Sequence, residues 1–249
     1  LGYIAASLNY MASNLDTIEE TQRNFISNVS HDFRSPLTSI RGYVDAMLDG
    51  TIPPEMQEKY LNIILFETER LTKLTESLLE LNKYESRKVI LEMTDFDING
   101  MIQQICETFE GTCKEKHLSF ELLLSSGSLR VHADMGKIQQ VLYNLIDNAI
   151  KYSPEAADVN IRCRQTASAG QGEFVEIAIS DRGTGIAPEK QSHIFDKFYR
   201  VPTGNLHNVK GYGLGLFYVK TMTEKHGGSV TVKSEPGKGS TFTLRFPNG

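Results

Sequence analysis

Polar side chains recur at helical spacing in residues 144–152. A helix would present two amides, an ammonium group and an aromatic ring on one face, from Asn144, Asn148, Lys151 and Tyr152. Amide oxygens suit a hard cation such as magnesium, and a nearby lysine suits phosphate oxygens. The combination favours a nucleotide site, whereas a pair of asparagines alone is usually only the polar side of an amphipathic helix.

A carboxylate, Asp181, follows directly after a run of alternating β-branched residues. Residues 174–179 predict a strand that ends at this aspartate, and Gly183 and Gly185 come just after it. The carboxylate can accept a hydrogen bond from an exocyclic amine, and the glycines would let the backbone approach a flat base. Alone, such a segment is typical of an ordinary turn.

A second glycine-rich segment opens a predicted helix that runs from Leu214 to Lys225 and ends at residues 226–228 with C-cap chemistry. Free backbone N–H groups at a helix start form a phosphate cradle when glycines allow close approach. The cradle residues are Gly211, Gly213, Leu214 and Gly215. Three such elements within about one domain's length favour a single nucleotide site over unrelated turns.

In this order the segments resemble the ATP-binding domain of bacterial sensor histidine kinases, a fold related to those of gyrase, Hsp90 and MutL. The resemblance covers the N box at 144–152, the G1 box at 181–185, the F box at 195–200, the G2 box at 211–215 and a closing strand motif at 239–242. It implies ATP and Mg²⁺ as ligands. Tyr212 departs from the family, which usually has a small residue there, and it would either crowd the cradle or pack on the nucleotide.

The resemblance also implies roles for single residues. Asn148 would be the magnesium ligand, with Asn144 and Lys151 near metal or phosphate. Asp181 would bind the adenine amine and Tyr152 would line the nucleotide. Residues 201–210 would form a mobile lid, and the other nucleotide-binding residues would be Gly183, Gly185, Arg200, Lys210, Gly211, Gly213, Leu214 and Gly215.

A second motif surrounds His31. Residues 25–40 resemble the H box of the same kinases, which implies His31 as the phosphoacceptor. A neutral imidazole has one free ring nitrogen that can attack phosphorus. Apolar residues before it recur at spacings of three and four, as in the seam of a coiled coil, so His31 should lie off the seam and face solvent. The seam residues are Leu8, Met11, Leu15, Ile18, Gln22, Phe25 and Val29.

Three residues close to His31 carry further expectations. By resemblance, Asp32 orients the ring and takes its proton, although adjacent helical residues do not face each other, so this contact needs a suitable rotamer or a partner chain. Ser35 stands where the family usually has threonine or asparagine for phosphatase action, and it retains a hydroxyl. Pro36 predicts a bend or a helix end, and the apolar pattern continuing at Ile40 and Val44 favours the bend.

The gyrase-like relatives place a glutamate, as a base for hydrolytic water, four residues before the metal asparagine. Here that position is Asn144, which cannot act as a base at neutral pH. We therefore expect ATP to phosphorylate His31 and the phosphoryl group to pass to an aspartate of a response regulator. The alternatives are a gyrase-like or chaperone-like ATPase and a non-catalytic scaffold that binds a regulator.

Two long helices are predicted on either side of a turn at residues 49–54. Two helices alone cannot bury both apolar stripes, so we expect a four-helix bundle made by a homodimer. The fold class is therefore α plus α/β, a helical hairpin followed by an α/β sandwich. The expected domains are 1–20, the end of a HAMP-like signalling helix; 21–86, the dimerisation and phosphotransfer domain; and 87–249, the ATP-binding domain.

The expected secondary structure after the hairpin alternates between strands and helices. The strands are 89–93, 119–124, 130–133, 158–164, 174–180, 229–234 and 241–246, and the helices are 99–113, 134–151 and 214–225. The buried side of the middle helix would consist of Ile138, Val141, Leu142, Leu145, Ile146 and Ala149.

The composition of the 249 residues limits the remaining function classes. A net charge of −5 and the lack of a basic stripe argue against direct nucleic acid binding. Three cysteines without paired spacing suit buried thiols. No apolar run approaches the roughly 18 residues that a membrane span needs. Because residues 1–11 resemble the end of a HAMP linker, we expect the cytoplasmic part of a membrane-anchored protein.

Overall fold

The computed structural model describes residues 23, 26–27, 29–85, 90–168, 172–197, 199–201 and 213–247. The chain divides into two compact units, Leu1–Arg87 and Lys88–Gly249. The HAMP-like segment, the coiled-coil seam before Val29, the lid after Val201 and the cradle residues Lys210, Gly211 and Tyr212 lie outside the described residues.

The first unit contains two helices joined by a tight turn. Helix α1 covers residues 29–48 and helix α2 covers Pro54–Glu85. The N–H of Ile52 donates to the carbonyl of Ala46 at 2.8 Å, and the N–H of Thr51 donates to the Asp49 carboxylate at 2.9 Å. These bonds close the predicted turn, and the buried side chain of Ile52 anchors it.

Helix α1 continues through Pro36, whose side chain is buried. Proline has no N–H to donate to the carbonyl of Asp32, four residues earlier. The helix end that was the alternative reading of Pro36 is therefore wrong.

Both helices of the first unit leave large apolar side chains exposed. Leu48 on α1 is 81% exposed and Leu65 on α2 is 57% exposed. The others in this group are Leu37, Val44, Met56, Leu61, Phe66 and Leu79. Within the described part of this unit, Leu74 and Ile52 are the only large apolar side chains in the buried class. Because the core of this hairpin is so small, much of its apolar surface is exposed to water, which is unfavourable.

The second unit is built on a five-stranded sheet in the order β2-β4-β5-β7-β6. Strands β2 and β4 are parallel and the other neighbours are antiparallel. A smaller antiparallel sheet pairs β1 with β3. The strands are β1 Met93–Asp97, β2 Ser119–Leu124, β3 Arg130–Asp134, β4 Asp158–Ser168, β5 Gly172–Ser180, β6 Ser229–Glu235 and β7 Gly239–Pro247.

The apolar residues of the central strands and of three helices make the core of the second unit. All six residues predicted to form the buried side of α5 are buried, together with Ile150. The strands contribute buried residues such as Val159, Ile161 and Ile177. The helices are α3 Ile98–Thr108, α4 Glu110–Lys116, α5 Met135–Tyr152, α6 Pro188–Gln191 and α7 Gly215–Lys225. The predicted fold class, a helical hairpin followed by an α/β domain, is confirmed.

Two predicted elements need correction, and one short helix was missed. The first strand is Met93–Asp97 and not 89–93, because pairing with β3 places Phe96 inward, while Ile90 lies outside any strand and is exposed. The predicted helix 99–113 is two helices, interrupted at Phe109, whose ring is buried against Tyr143. The short helix α6 was not predicted, since four residues show no periodicity.

The cysteines agree with the expectation of buried thiols. Cys106, Cys113 and Cys163 are free and buried. Burial raises the pKa of Cys106 and Cys163 to about 12, so both remain protonated at neutral pH. Of the helices in the described residues, none combines the length and apolar character needed to cross a membrane.

Candidate functional site

Helix α5 begins at a carboxylate that is bonded on both of its oxygens. Oδ1 of Asp134 accepts the N–H of Lys137 at 3.0 Å, and Oδ2 accepts the N–H of Glu92 at 3.1 Å. Burial alone would raise the pKa of Asp134, but these bonds and the nearby Lys137 and His226 hold it below the ordinary value. The cap therefore fixes the start of the helix that carries the predicted magnesium ligand.

The polar face of α5 is organised by pairs of neighbouring side chains. Gln140 donates to the amide oxygen of Asn144 at 3.1 Å, and the ammonium group of Lys151 pairs with Asp147 at 2.5 Å. The half-buried side chain of Asn148 makes no hydrogen bond among the described residues. Its amide oxygen is therefore available to a ligand.

Helix α7 lies beside this face. The Asn144 amide nitrogen contacts the carbonyl of Gly215 at 3.5 Å, so the N-box asparagine and the last G2-box glycine are brought together. Leu214 precedes the helix, and no described side chain caps its first N–H groups. Those N–H groups and Gly213 remain free to face an anion, as a phosphate cradle requires.

The far end of α7 is closed by the predicted C-cap. The N–H of Gly228 donates to Thr223 at 2.9 Å and the N–H of Gly227 donates to Glu224 at 3.0 Å, which is the Schellman pattern. His226 accepts the N–H of Asp134 on Nε2 at 3.1 Å, while its Nδ1 donates to the carbonyl of Met222. The imidazole therefore joins the end of α7 to the start of α5.

Asp181 lies at the end of β5, as predicted, and one of its two carboxylate oxygens is occupied. Oδ1 accepts the N–H of Gly183 at 2.8 Å and the N–H of Ser240 at 3.1 Å. Burial raises the pKa of Asp181, and these two bonds oppose that rise. Within the described residues Oδ2 makes no hydrogen bond, so it remains as an acceptor for an amine.

The two glycines of the G1 box approach protein backbone. A Cβ at Gly183 would lie 2.5 Å from the carbonyl oxygen of Tyr152, and one at Gly185 would lie 2.0 Å from that of Glu235. A side chain at either position would displace the loop. The sequence suggested close approach to a base, and the structure adds that both glycines are needed to pack the loop that carries Asp181.

The F box packs against the core and against α7. The ring of Phe195 meets Phe242 edge to face at 6.3 Å, and the ammonium group of Lys197 lies 5.1 Å from the ring centroid of Phe217. Arg200 is exposed. Only part of the predicted cradle is described, namely Gly213, Leu214 and Gly215.

The donor set suits a magnesium ion that is held partly by phosphate. Within the described residues, no group of three or more histidine, cysteine, aspartate or glutamate side chains could form a protein-only metal site. Magnesium usually takes one or two protein oxygens and completes its octahedron with water and substrate phosphates. The unpartnered amide of Asn148 fits that role.

The predicted phosphoacceptor lies in the helical unit. The side chain of His31 is 81% exposed, as expected for a residue off the apolar seam, and Asp32 Oδ1 lies 3.5 Å from its Nδ1. Adjacent positions on α1 therefore do reach each other within one chain. Ser35, one turn later, is also exposed.

Two family models match these two units. Residues 133–249 match the histidine kinase-, DNA gyrase B- and HSP90-like ATPases, and residues 21–87 match the His Kinase A (phospho-acceptor) domain. The chain belongs to the sensor histidine kinases. In this chain the exposed His31 lies inside the phosphoacceptor match and Asp181 lies inside the ATPase match.

Individual proteins agree with this membership. The chain is 35% identical over 239 residues to the sensor histidine kinase WalK of Bacillus subtilis, and the match covers 96% of this chain and 38% of WalK. The solved histidine kinase ThkA in complex with the response regulator TrrA has a TM-score of 0.70 at 27% identity, covering 90% of this chain and 60% of that one. Full-length ShkA with AMPPNP has a TM-score of 0.65 at 26% identity, covering 90% of this chain and 45% of that one. The chain spans less than half the length of WalK.

Sequence reasoning missed several residues that position the candidate site. Ser234, Ser240 and Gln191 surround the loop after Asp181. Lys116 donates to the carbonyls of Ile150 and Lys151, at the C-terminal end of α5. Ser240 lay in the recognised motif at 239–242, but a single lysine or glutamine in a polar segment carries no periodic signal.

Proposed function

We propose that this chain uses ATP to phosphorylate its own His31 and then transfers the phosphoryl group to an aspartate of a response regulator receiver domain. The observation that carries the proposal is an imidazole that is 81% exposed, beside a carboxylate, within the segment that matches the phosphoacceptor family. The complex of the similar kinase ThkA with TrrA supports a response regulator as the partner.

The arrangement of His31 and Asp32 supports a division of roles between the ring nitrogens. Nδ1 faces the Asp32 carboxylate, which leaves Nε2 as the nucleophile. In the reaction a bond forms between Nε2 and the γ-phosphorus as the bond to the ADP oxygen breaks. Asp32 takes the Nδ1 proton, so the modified ring is neutral again.

We assign ATP and Mg²⁺ to the second unit. Asn148 would bind the magnesium ion, with Asn144 and Lys151 near metal or phosphate, and Asp181 would accept from the adenine amine. Bound magnesium would neutralise charge on the phosphate oxygens. The other proposed nucleotide contacts are Tyr152, Gly183, Gly185, Arg200, Lys210, Gly211, Gly213, Leu214 and Gly215. The AMPPNP complex of ShkA supports nucleotide binding.

Asn144 also supports transfer over hydrolysis. Its amide is bonded to Gln140 and contacts Gly215, and an amide cannot take a proton from water at neutral pH. The second unit therefore lacks a general base at that position, which supports our proposal that His31 is the nucleophile.

We further propose that the chain works as a homodimer of a membrane-anchored protein. The exposed apolar residues of α1 and α2, including Leu48 and Leu65, support burial against a second copy in a four-helix bundle. The proposed domains are the signalling helix at 1–20, the dimerisation and phosphotransfer domain at 21–86 and the ATP-binding domain at 87–249.

The test is incubation of the chain with γ-labelled ATP and magnesium. We expect label that is stable to alkali and lost in acid, and that is absent from His31→Gln and Asn148→Asp. His132→Gln is the matched control, because His132 is also exposed and lies 2.8 Å from a carboxylate, that of Asp95. Steady phosphate release without a labelled protein would contradict the proposal and favour the ATPase alternative.

Phosphatase action on the regulator is proposed as a second activity, and it depends on the exposed hydroxyl of Ser35. We expect Ser35→Ala to slow dephosphorylation of a phosphorylated regulator while leaving labelling of His31 intact. Unchanged dephosphorylation in this variant would show that Ser35 has no such role.

A further inference from the structure

The loop that carries Asp181 is fastened to the turn between β6 and β7. We name residues 181–187 the base loop and residues 234–240 the hairpin turn. The N–H of Asp181 donates to the carbonyl of Ser240 at 2.9 Å, and the N–H of Gly237 donates to the carbonyl of Thr184 at 2.8 Å. The base loop therefore meets the hairpin turn at two backbone positions.

Close packing supports these bonds. Gly239 has a φ of +99°, and a Cβ there would lie 2.0 Å from the carbonyl oxygen of Asp181. Gly185 has a φ of +66° and is equally close to Glu235. Both positions require glycine, so the two segments are in backbone contact with no side chain between them.

The hydroxyl of Ser234 lies at the centre of this contact. Its Oγ accepts the N–H of Ile186 at 2.8 Å and donates to the carbonyl of Gly239 at 2.9 Å. The hydroxyl of Ser240 lies 2.9 Å away and supplies the remaining proton. A hydroxyl has one donor and two acceptor positions, so all the hydrogen-bonding capacity of Ser234 is used.

Gln191 makes a second link between the same segments. Its amide nitrogen donates to the carbonyl of Ile186 at 2.9 Å and to the carbonyl of Ser234 at 2.8 Å. Both protons of one NH₂ group are thus used to join the base loop to β6. Neither Ser234 nor Gln191 contacts the Asp181 carboxylate directly.

We propose that Ser234, supported by Gln191, is a positioning residue for recognition of the purine 6-amino group by Asp181. The inference rests on the proposed ATP function. Ser234 ties Ile186 at one end of the base loop to Gly239 and Ser240, and Ser240 holds Oδ1 of Asp181. Loss of the hydroxyl would leave the N–H of Ile186, the carbonyl of Gly239 and the hydroxyl of Ser240 without this partner. The Asp181 carboxylate could then rotate.

Holding Oδ1 on two backbone N–H groups directs Oδ2 outward as the amine acceptor. A hydrogen bond from the 6-amino group to a charged carboxylate should raise the affinity roughly tenfold to hundredfold over that of a nucleotide without the amine. The readout is therefore the ratio of affinities for ATP and for the triphosphate of purine riboside, which lacks the 6-amino group. A general loss of structure weakens both nucleotides and leaves their ratio unchanged.

The experiment measures both dissociation constants in magnesium buffer on the full chain. In Asp181→Asn, Oδ1 stays on the backbone N–H groups and the amide nitrogen faces the amine, so the ratio should fall to about one. Ser234→Ala and Gln191→Leu should each lower the ratio at least about threefold. Ser234→Thr, which keeps the hydroxyl, should restore it, and the exposed Ser229→Ala on the same strand should match the native chain.

The outcomes separate the two proposals. If Asp181→Asn lowers the ratio while Ser234→Ala and Gln191→Leu do not, the positioning role is wrong and the base assignment stands. If Asp181→Asn leaves the ratio unchanged, the base assignment itself fails. Should Ser234→Ala not fold, Gln191→Leu alone decides, and an equal loss of affinity for both nucleotides overturns the inference.

Discussion

His31 and Asp181 are the two residues on which the proposed chemistry depends, and their surroundings are opposite. His31 is exposed on a helix and contacts one neighbouring carboxylate. Asp181 is half-buried, and its carboxylate and backbone are bonded to Gly183 and Ser240. In the proposed reaction, ATP and a response regulator must both reach His31, so this residue needs to be accessible. Asp181 selects one ligand, so it needs a fixed position.

The difference extends to stability. A substitution at His31 removes little packing, and Asp32→Asn keeps the shape of the side chain, so either change should alter chemistry without changing the free energy of unfolding. In the α/β unit the candidate ligand-binding residues also make hydrogen bonds that stabilise the fold. Substitutions there should therefore change both ligand binding and the free energy of unfolding. Four substitutions test this contrast, beginning with the largest expected effect.

Asp32→Asn should slow phosphorylation of His31 by about 100-fold to 1,000-fold, the usual contribution of a positioned proton acceptor. ATP affinity and the melting temperature should stay unchanged, because the contact with His31 lies at the surface. Initial labelling rates and thermal melts measure these quantities.

The control for Asp32 is Asp45→Asn, on the same helix, where Asp45 makes an exposed pair with Arg41 at 3.5 Å. An equal slowing in both variants would show that the effect is not specific to His31. A lower melting temperature for Asp32→Asn alone would contradict the contrast between the units.

Asn148→Ala should weaken binding of ATP at least about tenfold in the presence of magnesium, and much less in its absence. Among the described residues its side chain makes no hydrogen bond, so this substitution should be an exception in the α/β unit and leave stability unchanged. Calorimetric titrations with magnesium and with a chelator measure the difference. The exposed Gln139→Ala on the same helix is the control, and an equal loss with and without magnesium would rule out the metal role.

Glu176→Gln should lower the free energy of unfolding by about 1 to 3 kcal/mol at neutral pH and leave ATP affinity unchanged. The buried carboxylate of Glu176 is bonded to Arg164 at 2.6 Å and to Arg245 at 2.8 Å. Burial would raise its pKa, but these arginines hold the pKa below the ordinary value. Urea unfolding curves measure the effect.

The sign of the pH dependence follows from the lowered pKa of Glu176. Its contribution is complete above the pKa of the unfolded chain and is lost as the pH falls through the lower pKa of the folded chain. The difference in the free energy of unfolding between the native chain and Glu176→Gln should therefore shrink as the pH falls below about 4. Glu173→Gln, an exposed position on the same strand, should show no such difference, and a constant gap at all pH values would contradict the ion-pair account.

Asp147→Asn should have the smallest effect, a preference for ATP over ADP increased about twofold to fivefold. The carboxylate of Asp147 pairs with Lys151 at a partly exposed site, and such pairs are worth up to about 1 kcal/mol. Without it, Lys151 is freed to bind phosphate. The gain should disappear in the double variant that also carries Lys151→Met, and its persistence there would exclude Lys151 as the cause.

The predicted parts of the fold are those with a strong repeat. Helix α5 and strand β2 match their predictions to within one residue, because the apolar residues of α5 recur at spacings of three and four and those of β2 form a short apolar run. Strand β1 was misplaced, since Thr94, Asp95 and Asp97 make it look like a loop and only pairing with β3 defines it. The interruption at Phe109 depends on tertiary packing against Tyr143, which no local pattern reveals.

For the candidate site, the sequence indicated residues that would touch a ligand better than residues that hold them in place. Asn148 and Asp181 stand in recognisable spacing, whereas Ser234 and Gln191 matter because strands distant in the chain meet. The closeness of Asp32 to His31 depends on a rotamer, and so it had to be observed.

The strand order of the large sheet has a consequence for protein synthesis. Strand β7 comes after every other strand in the chain, yet it lies between β5 and β6. Until a ribosome has released residues 239–247, β6 has no partner and β5 presents an open edge. We therefore expect nascent chains stalled before this strand to depend on chaperones and to aggregate readily without them.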